Sequence, residues 1–203
     1  MNRLKILVLV LAAAAVPAAA TAQTLTFEGL ADHAQIPAGY GGFTWSAYFN
    51  ALDASTSAYA LSGYRNGTKS GVMVGYTAWE NLVSFGSATP FTFNSVWITP
   101  AWTNGQTVTI HGWNGANLLY TGSFVSSWTQ PVFFAPNWSG VTLVDFVGTG
   151  GAEDPSNGGN GQHLAFDDLT VNQDVVPEPA TMLLLATGLA GIGGAIRRRR
   201  QQN

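Results

Sequence analysis

Residues 106–113 read Gln106-Thr107-Val108-Thr109-Ile110-His111-Gly112-Trp113. Their strict alternation puts Val108 and Ile110 on one side of an extended chain and Thr107 and Thr109 on the other. A helix would scatter these residues around its surface, so the segment is a strand with one buried face. Thr24-Leu25-Thr26-Phe27-Glu28 repeats the pattern, with Leu25 and Phe27 inward. Working outward, strand-like runs recur at 43–49, 71–76, 90–99, 117–125, 130–135, 140–147 and 163–171. Asn66-Gly67, Asn104-Gly105, Asn114-Gly115 and Ser139-Gly140 separate several of them with turn chemistry. About nine short strands at this spacing predict an all-β domain, a two-sheet antiparallel β-sandwich. One stretch differs: 148–162 holds six glycines with Glu153, Asp154 and Pro155 and has no apolar periodicity. It is expected to be a long flexible loop.

The composition suits a secreted β protein. Charged residues make up 9% of the 203, against roughly 25% in ordinary soluble chains. There are 24 glycines, 12% aromatics and no cysteine. A thiol nucleophile and a Cys-ligated zinc site are therefore excluded. Most of the basic residues are terminal: Arg3, Lys5 and Arg197 to Arg200. Between residues 23 and 176 only Arg65 and Lys69 stand against ten carboxylates, a net charge of −8. Such a surface repels phosphates, which sets nucleic acid aside as a partner.

The two ends read as addresses. Arg3 and Lys5 precede an apolar run from Ile6 to Ala15, and Ala20-Thr21-Ala22 supplies the small residues signal peptidase reads. Residues 1–22 are thus expected to be a cleaved signal helix. At the other end, Val176-Pro177-Glu178-Pro179 precedes a charge-free run from Ala180 to Ile196, then Arg197-Arg198-Arg199-Arg200. That run is about 17 residues, or ~25 Å as a helix, at the short limit for a transmembrane span. Four arginines after it would hold that end in the cytoplasm. The order Pro-Glu-Pro, apolar helix, arginine cluster resembles the PEP-CTERM sorting domain of Gram-negative bacteria. The resemblance implies recognition near Pro177, Glu178 and Pro179 by an exosortase-type processing enzyme. The protein would pass through an inner-membrane intermediate to the cell surface or extracellular matrix. The expected organisation is signal peptide 1–22, β-sandwich 23–171, linker 172–176 and sorting and membrane-anchor segment 177–203.

The body carries a second resemblance. Leu25-Thr26-Phe27-Glu28, Ile36-Pro37-Ala38-Gly39-Tyr40-Gly41-Gly42-Phe43-Thr44-Trp45 and Phe166-Asp167-Asp168-Leu169-Thr170-Val171 resemble the first and last strands of jelly-roll, galactose-binding-like modules. Alternation places Asp167 and Asp168 on opposite faces of their strand, one with Leu164 and Phe166, the other with Leu169 and Val171. In the resembling modules carboxylates of the terminal strands bind a structural Ca²⁺, which here implies Glu28 with Asp167 or Asp168 as oxygen ligands. The same residues could instead accept backbone N–H bonds at a sheet end.

Seven tryptophans exceed what one core needs. Trp102, Trp113 and Trp138 stand beside turn residues, where indole faces can stack on sugar rings. They are the expected glycan-binding residues, and extracellular polysaccharide the expected partner. No catalytic residue is assigned: the sequence has no Gly-x-Ser-x-Gly elbow, HExxH or phosphate loop, and no acid pair has diagnostic context. The expected function is a non-catalytic, polysaccharide-associated surface module. The alternatives are a purely structural surface protein and a glycan-active enzyme.

Overall fold

The computed structural model describes residues 21–80 and 82–173. The expected signal segment before residue 21, most of the expected linker, the segment expected to form a membrane helix and the sorting residues Pro177, Glu178, Pro179 and Arg197 to Arg200 lie outside the described residues. Among the described residues no helix is long and apolar enough to cross a membrane.

The chain forms, in order, β1 (Gln23–Leu25), β2 (Ala34–Gln35), β3 (Thr44–Trp45), β4 (Phe49–Asp53), the short helix α1 (Gly63–Gly67), β5 (Met73–Thr77), β6 (Val83–Pro100), β7 (Thr103–Asn104), β8 (Gln106–Asn114), β9 (Asn117–Ser126), β10 (Val132–Phe134), β11 (Trp138–Thr149), β12 (Ala152–Glu153) and β13 (Leu164–Val171). All pairings are antiparallel. The expected sandwich is present, with one refinement. Its two layers belong to a single hydrogen-bonded sheet, ordered β2-β4-β5-β13-β6-β11-β8-β9. The 18-residue β6 joins them: its N-terminal half pairs with β3 and β11, and its C-terminal half with β13 and β10.

The layers meet through aromatic rings. Phe146 of one layer lies 4.9 Å from Phe166 and 6.4 Å from Phe49 of the other, ring centre to ring centre. Phe27, Phe85, Phe93, Ile98, Val108 and Ile110 complete a core closed to solvent. Leu25 and Phe27 both face inward as their alternation implies, although β1 ends at Leu25 and Phe27 takes a φ of +63°.

The opposite-face reading of Asp167 and Asp168 is corrected. Asp168 has a φ of +48° and the β13–β6 register shifts between Asp167 and Thr170, the mark of a β-bulge. The extra residue re-phases the strand. Leu164 and Phe166 before it, and Leu169 and Val171 after it, therefore all reach the same core.

A smaller second core lies on the outer face of β4, β5, β13 and β6, formed by Leu52, Ala54, Tyr64, Val74, Ala101 and Ala165. Strand β4 carries apolar residues on both faces because both are covered. The cover is α1, capped by the Ser62 hydroxyl, which accepts the Arg65 N–H at 3.3 Å. Gly63 donates its N–H to the Ala101 carbonyl at 2.7 Å, tying α1 to the sheet. Arg65, one of the two cations of the body, holds the preceding loop through the carbonyls of Ala54, Ser55 and Thr56.

The glycine-rich stretch 148–162 is not the loose loop expected from its composition. Its strand β12 pairs with β7, far away in the chain. The Asp154 carboxylate accepts bonds from Asn104, Trp128 and Ser156, which hold its pKa well below the usual range. Asn157 donates to the Trp102 carbonyl at 2.7 Å.

Candidate functional site

On the solvent side of the second core, aromatic side chains from separate elements converge. Tyr64 of α1 is the buried floor. Tyr59, from the 3-10 turn Ser57–Tyr59, lies edge-on to it at 5.3 Å. Tyr76 of β5 does the same at 5.7 Å, and Trp102, just after β6, at 5.4 Å. Tyr59, Tyr76 and Trp102 stay half-buried, so each keeps part of its ring in water. Tyr76 reaches this face because Val74 and Tyr76 alternate outward while Met73 faces the main core. Asn50, its register partner on β4, lies beside it.

Polar groups border the rings. The Tyr59 hydroxyl and His33 Nε2 share a hydrogen bond of 2.8 Å, and His33 Nδ1 lies 2.9 Å from the Asp32 carboxylate. Asp32 also accepts the Asp53 N–H at 2.8 Å, which fixes it against β4. His33 meets Tyr76 edge to face at 6.5 Å. Desolvation, with nearby Asp32 adding to it, raises the pKa values of Tyr59 and Tyr76, so both phenols stay protonated donors at neutral pH. The arrangement offers aromatic faces beside hydroxyl and imidazole groups that can hydrogen-bond, which suits a hydroxyl-rich ring. Next to Trp102 in the chain, Thr103 with Glu153, Asn160 and Gln162 lines a polar cavity of about 250 Å³.

Gly159 lies flat against the Trp102 indole, where an added Cβ would come within 2.1 Å of the ring. Gly159→Ala is therefore expected to push loop and indole apart at a cost of about 1–3 kcal/mol. A thermal unfolding scan showing no change in midpoint would break the claimed packing.

The three tryptophans expected to bind glycan do not share a face. Only Trp102 belongs to the aromatic site. Trp113 lies on the other layer, where its Nε1 donates to Asp145 at 2.6 Å beside the His111–Asp145 pair at 2.8 Å. Trp138 is 8% exposed, stacked on Tyr120 at 5.3 Å and edge-on to Phe134, so the expectation that it reaches solvent is corrected. Its neighbours Ser139 and Gly140, expected to form a turn, are exposed but belong to β11, and Trp138, the first residue of that strand, points inward. Tyr59, Tyr76, His33 and Asp32 were missed in the sequence. The available signal was the apolar residue on each nominally polar face of β4 and β5.

Glu28, Asp167 and Asp168 are brought to one loop. Glu28 Oε1 accepts the N–H groups of Val72 and Met73 at 2.8 and 2.7 Å. Asp167 Oδ2 accepts those of Lys69 and Ser70 at 2.6 and 3.0 Å, and its Oδ1 that of Asp168 at 2.7 Å. Asp168 Oδ1 accepts the Ser70 hydroxyl at 2.6 Å. Ca²⁺ needs six to eight oxygens aimed at one point. Here the Glu28 and Asp167 oxygens face the positive ends of N–H dipoles and Asp168 Oδ1 faces a hydroxyl, and among the described residues no three His, Asp or Glu side chains form a group that could hold a metal ion. The residues as arranged do not fit a calcium ion and act instead as acceptors that fold the 69–73 loop onto β13.

Comparison with known proteins agrees with this architecture. A DUF4465 family protein from Bacteroides caccae ATCC 43185 superposes with a TM-score of 0.51 at 12% identity, covering 74% of this chain and 98% of that one. Its likeness supports the fold. Looser overlaps occur with the carbohydrate-binding module TmCBM61 in complex with β-1,4-galactotriose (TM-score 0.38, 12% identity, 71% of this chain and 100% of that one). The family 32 module from C. perfringens NanJ in complex with galactose overlaps similarly (TM-score 0.36, 14% identity, 64% and 92%). No curated protein matches the chain. Residues 175–200 match the PEP-CTERM protein-sorting motif, and the chain therefore carries the sorting signal of an exported protein destined for the cell surface.

Proposed function

We propose that the folded body is a non-catalytic module that associates with neutral extracellular polysaccharide, delivered by its sorting signal to the surface or matrix of a Gram-negative cell. The single observation that carries this reading is the convergence of Tyr59, Tyr76 and Trp102 with the Tyr59–His33–Asp32 hydrogen-bond chain on one solvent-facing site. Ring stacking is short-ranged and insensitive to salt, whereas the net charge of −8 opposes anionic polymers. The protein should be retarded in gels containing a neutral polysaccharide, equally at low and raised ionic strength. Retention only by an anionic polymer, or loss of retention with salt, would overturn the reading.

Within this site the Asp32–His33–Tyr59 chain is the arrangement nearest to acid–base machinery. Its carboxylate and imidazole are about half exposed, at 46% and 53%, so the water around them favours recognition over catalysis. Release of reducing sugar by the wild-type protein, lost in His33→Ala, would establish the enzymatic alternative.

Delivery has its own test. Replacing Pro177, Glu178 and Pro179 with alanine is expected to leave full-length protein stranded in the inner membrane while export continues, because recognition is separate from the apolar span. Normal processing of this variant in its host would refute the exosortase step.

A further inference from the structure

Among the described residues, six other than glycine take a positive φ: Phe27, His33, Trp79, Asn137, Asp168 and Asn172. An L side chain in that region strains the backbone, asparagine least. The surroundings hold most of the others there. The Phe27 ring is closed into the main core, Asp168 sits at the β13 bulge with its carboxylate on the Ser70 hydroxyl, and His33 belongs to the aromatic site. Trp79 stands apart. In the 3-10 turn Ala78–Glu80 it takes φ +57° and ψ +30° while 82% exposed, so burial offsets little of the strain. Strain that persists at an exposed side chain is typical of residues that meet a ligand.

The place of Trp79 in the fold points to which ligand. Strands β4 and β5 pair Asn50 with Tyr76 and Phe49 with Thr77. One further backbone bond closes their open end, from the Ala78 N–H to the Tyr48 carbonyl at 2.8 Å, and the Tyr48 side chain is exposed there. Trp79 follows Tyr76 by three residues, so its Cα lies within about 11 Å of the Tyr76 Cα. Exposed rings thus continue the aromatic site past the ends of these strands. Strand β13 starts beside the same end, with Ala165 opposite Tyr76, and runs away from it for eight residues, roughly 25 Å, to Val171. The chain leaves for its sorting segment from that far end, which favours a ligand in solution over the membrane surface as what meets the indole. We propose that Trp79, with Tyr48 on the neighbouring strand end, extends the aromatic site along a bound neutral polysaccharide and stacks on sugar units beyond those held at Tyr76. This rests on the glycan-binding reading of the aromatic site.

The full-length protein, as wild type and as Tyr76→Ala, Trp79→Ala, Trp79→Tyr and Trp79→Gly, is run in native gels containing dextran, galactan or mannan. The polymer that retards the wild type most is expected to bind Trp79→Ala and Trp79→Gly at least about threefold more weakly, in keeping with the loss of one aromatic face. Trp79→Tyr keeps such a face and should retain most of the retardation. The thermal midpoint separates a ligand contact from a structural one. Glycine takes φ +57° at no steric cost, so Trp79→Gly should unfold at or above the wild-type temperature even as it binds less. Wild-type retardation of Trp79→Ala and Trp79→Gly, beside a loss in Tyr76→Ala, would overturn the extension and spare the site. A lower midpoint in Trp79→Gly would overturn it as well, by making the indole a structural prop. No retardation of the wild type by any of these polymers would overturn the site and its extension together.

Discussion

Asp167→Ala is expected to remove about 3 kcal/mol of stability or more, because it leaves the N–H groups of Lys69, Ser70 and Asp168 without their acceptor at a fully buried site. For a body of this size the thermal midpoint should fall by roughly 6–12 °C. The fall should be the same with calcium and with a chelator, and the wild-type midpoint should not respond to the chelator. A calcium-dependent wild-type midpoint, abolished in Asp167→Ala, would restore the ion that the hydrogen bonds argue against. The carboxyl also has a pH signature. Burial pushes its pKa up to about 6 from 3.8, against the lowering effect of its three N–H bonds. A folded pKa above the unfolded value means that the folded state binds the proton more tightly. The contribution of this group is therefore fully present below about pH 3.8 and is lost as pH rises through 6. In Asp167→Asn that part of the pH slope should vanish. An identical slope in wild type and variant would show that Asp167 does not titrate in this range.

Gly63→Ala should have a comparable effect by a different route. A Cβ at Gly63 would lie 1.7 Å from the Pro100 carbonyl oxygen and 3.0 Å from the Ala101 Cα, both backbone atoms that cannot turn aside. Helix α1 must lift from the sheet, breaking the bond from the Gly63 N–H to Ala101 and carrying away Tyr64. Overpacking of this kind costs about 1–3 kcal/mol, and the lost docking of α1 adds to it. Glycan binding should be abolished while the main core, which does not involve α1, stays folded in the cold. Unimpaired binding by Gly63→Ala would mean that Tyr64 and its neighbours are not the site.

Much of the fold was legible because alternation reports burial directly. The QTVTIHGW segment became β8 with Val108 and Ile110 closed to solvent. Legibility failed where a local device changed the phase. The bulge at Asp168 shifts β13 by one residue, and nothing in Phe166-Asp167-Asp168-Leu169 announces a positive φ. The glycine-rich stretch 148–162 read as loose because its order comes from Asp154 and Asn157 side-chain bonds to distant residues. Trp138 was misplaced because a turn neighbour says nothing about which face a strand residue takes. Trp102 was found, but its companions come from a 3-10 turn, a five-residue helix and a strand. Their meeting is a property of the second core, set by long-range packing rather than by spacing in the chain.

The central claim is that neutral glycan binds on the Tyr59, Tyr76 and Trp102 rings. Calorimetric titration of the wild-type protein with a neutral polysaccharide, beside Tyr76→Ala and Trp102→Ala variants shown to be folded at the titration temperature, tests it most directly. The account predicts saturable wild-type binding that is unchanged by salt. Each variant should bind at least about fivefold more weakly, in keeping with roughly 1 kcal/mol per aromatic face. Equal affinity in all three proteins, or no heat with any neutral polysaccharide, would contradict it.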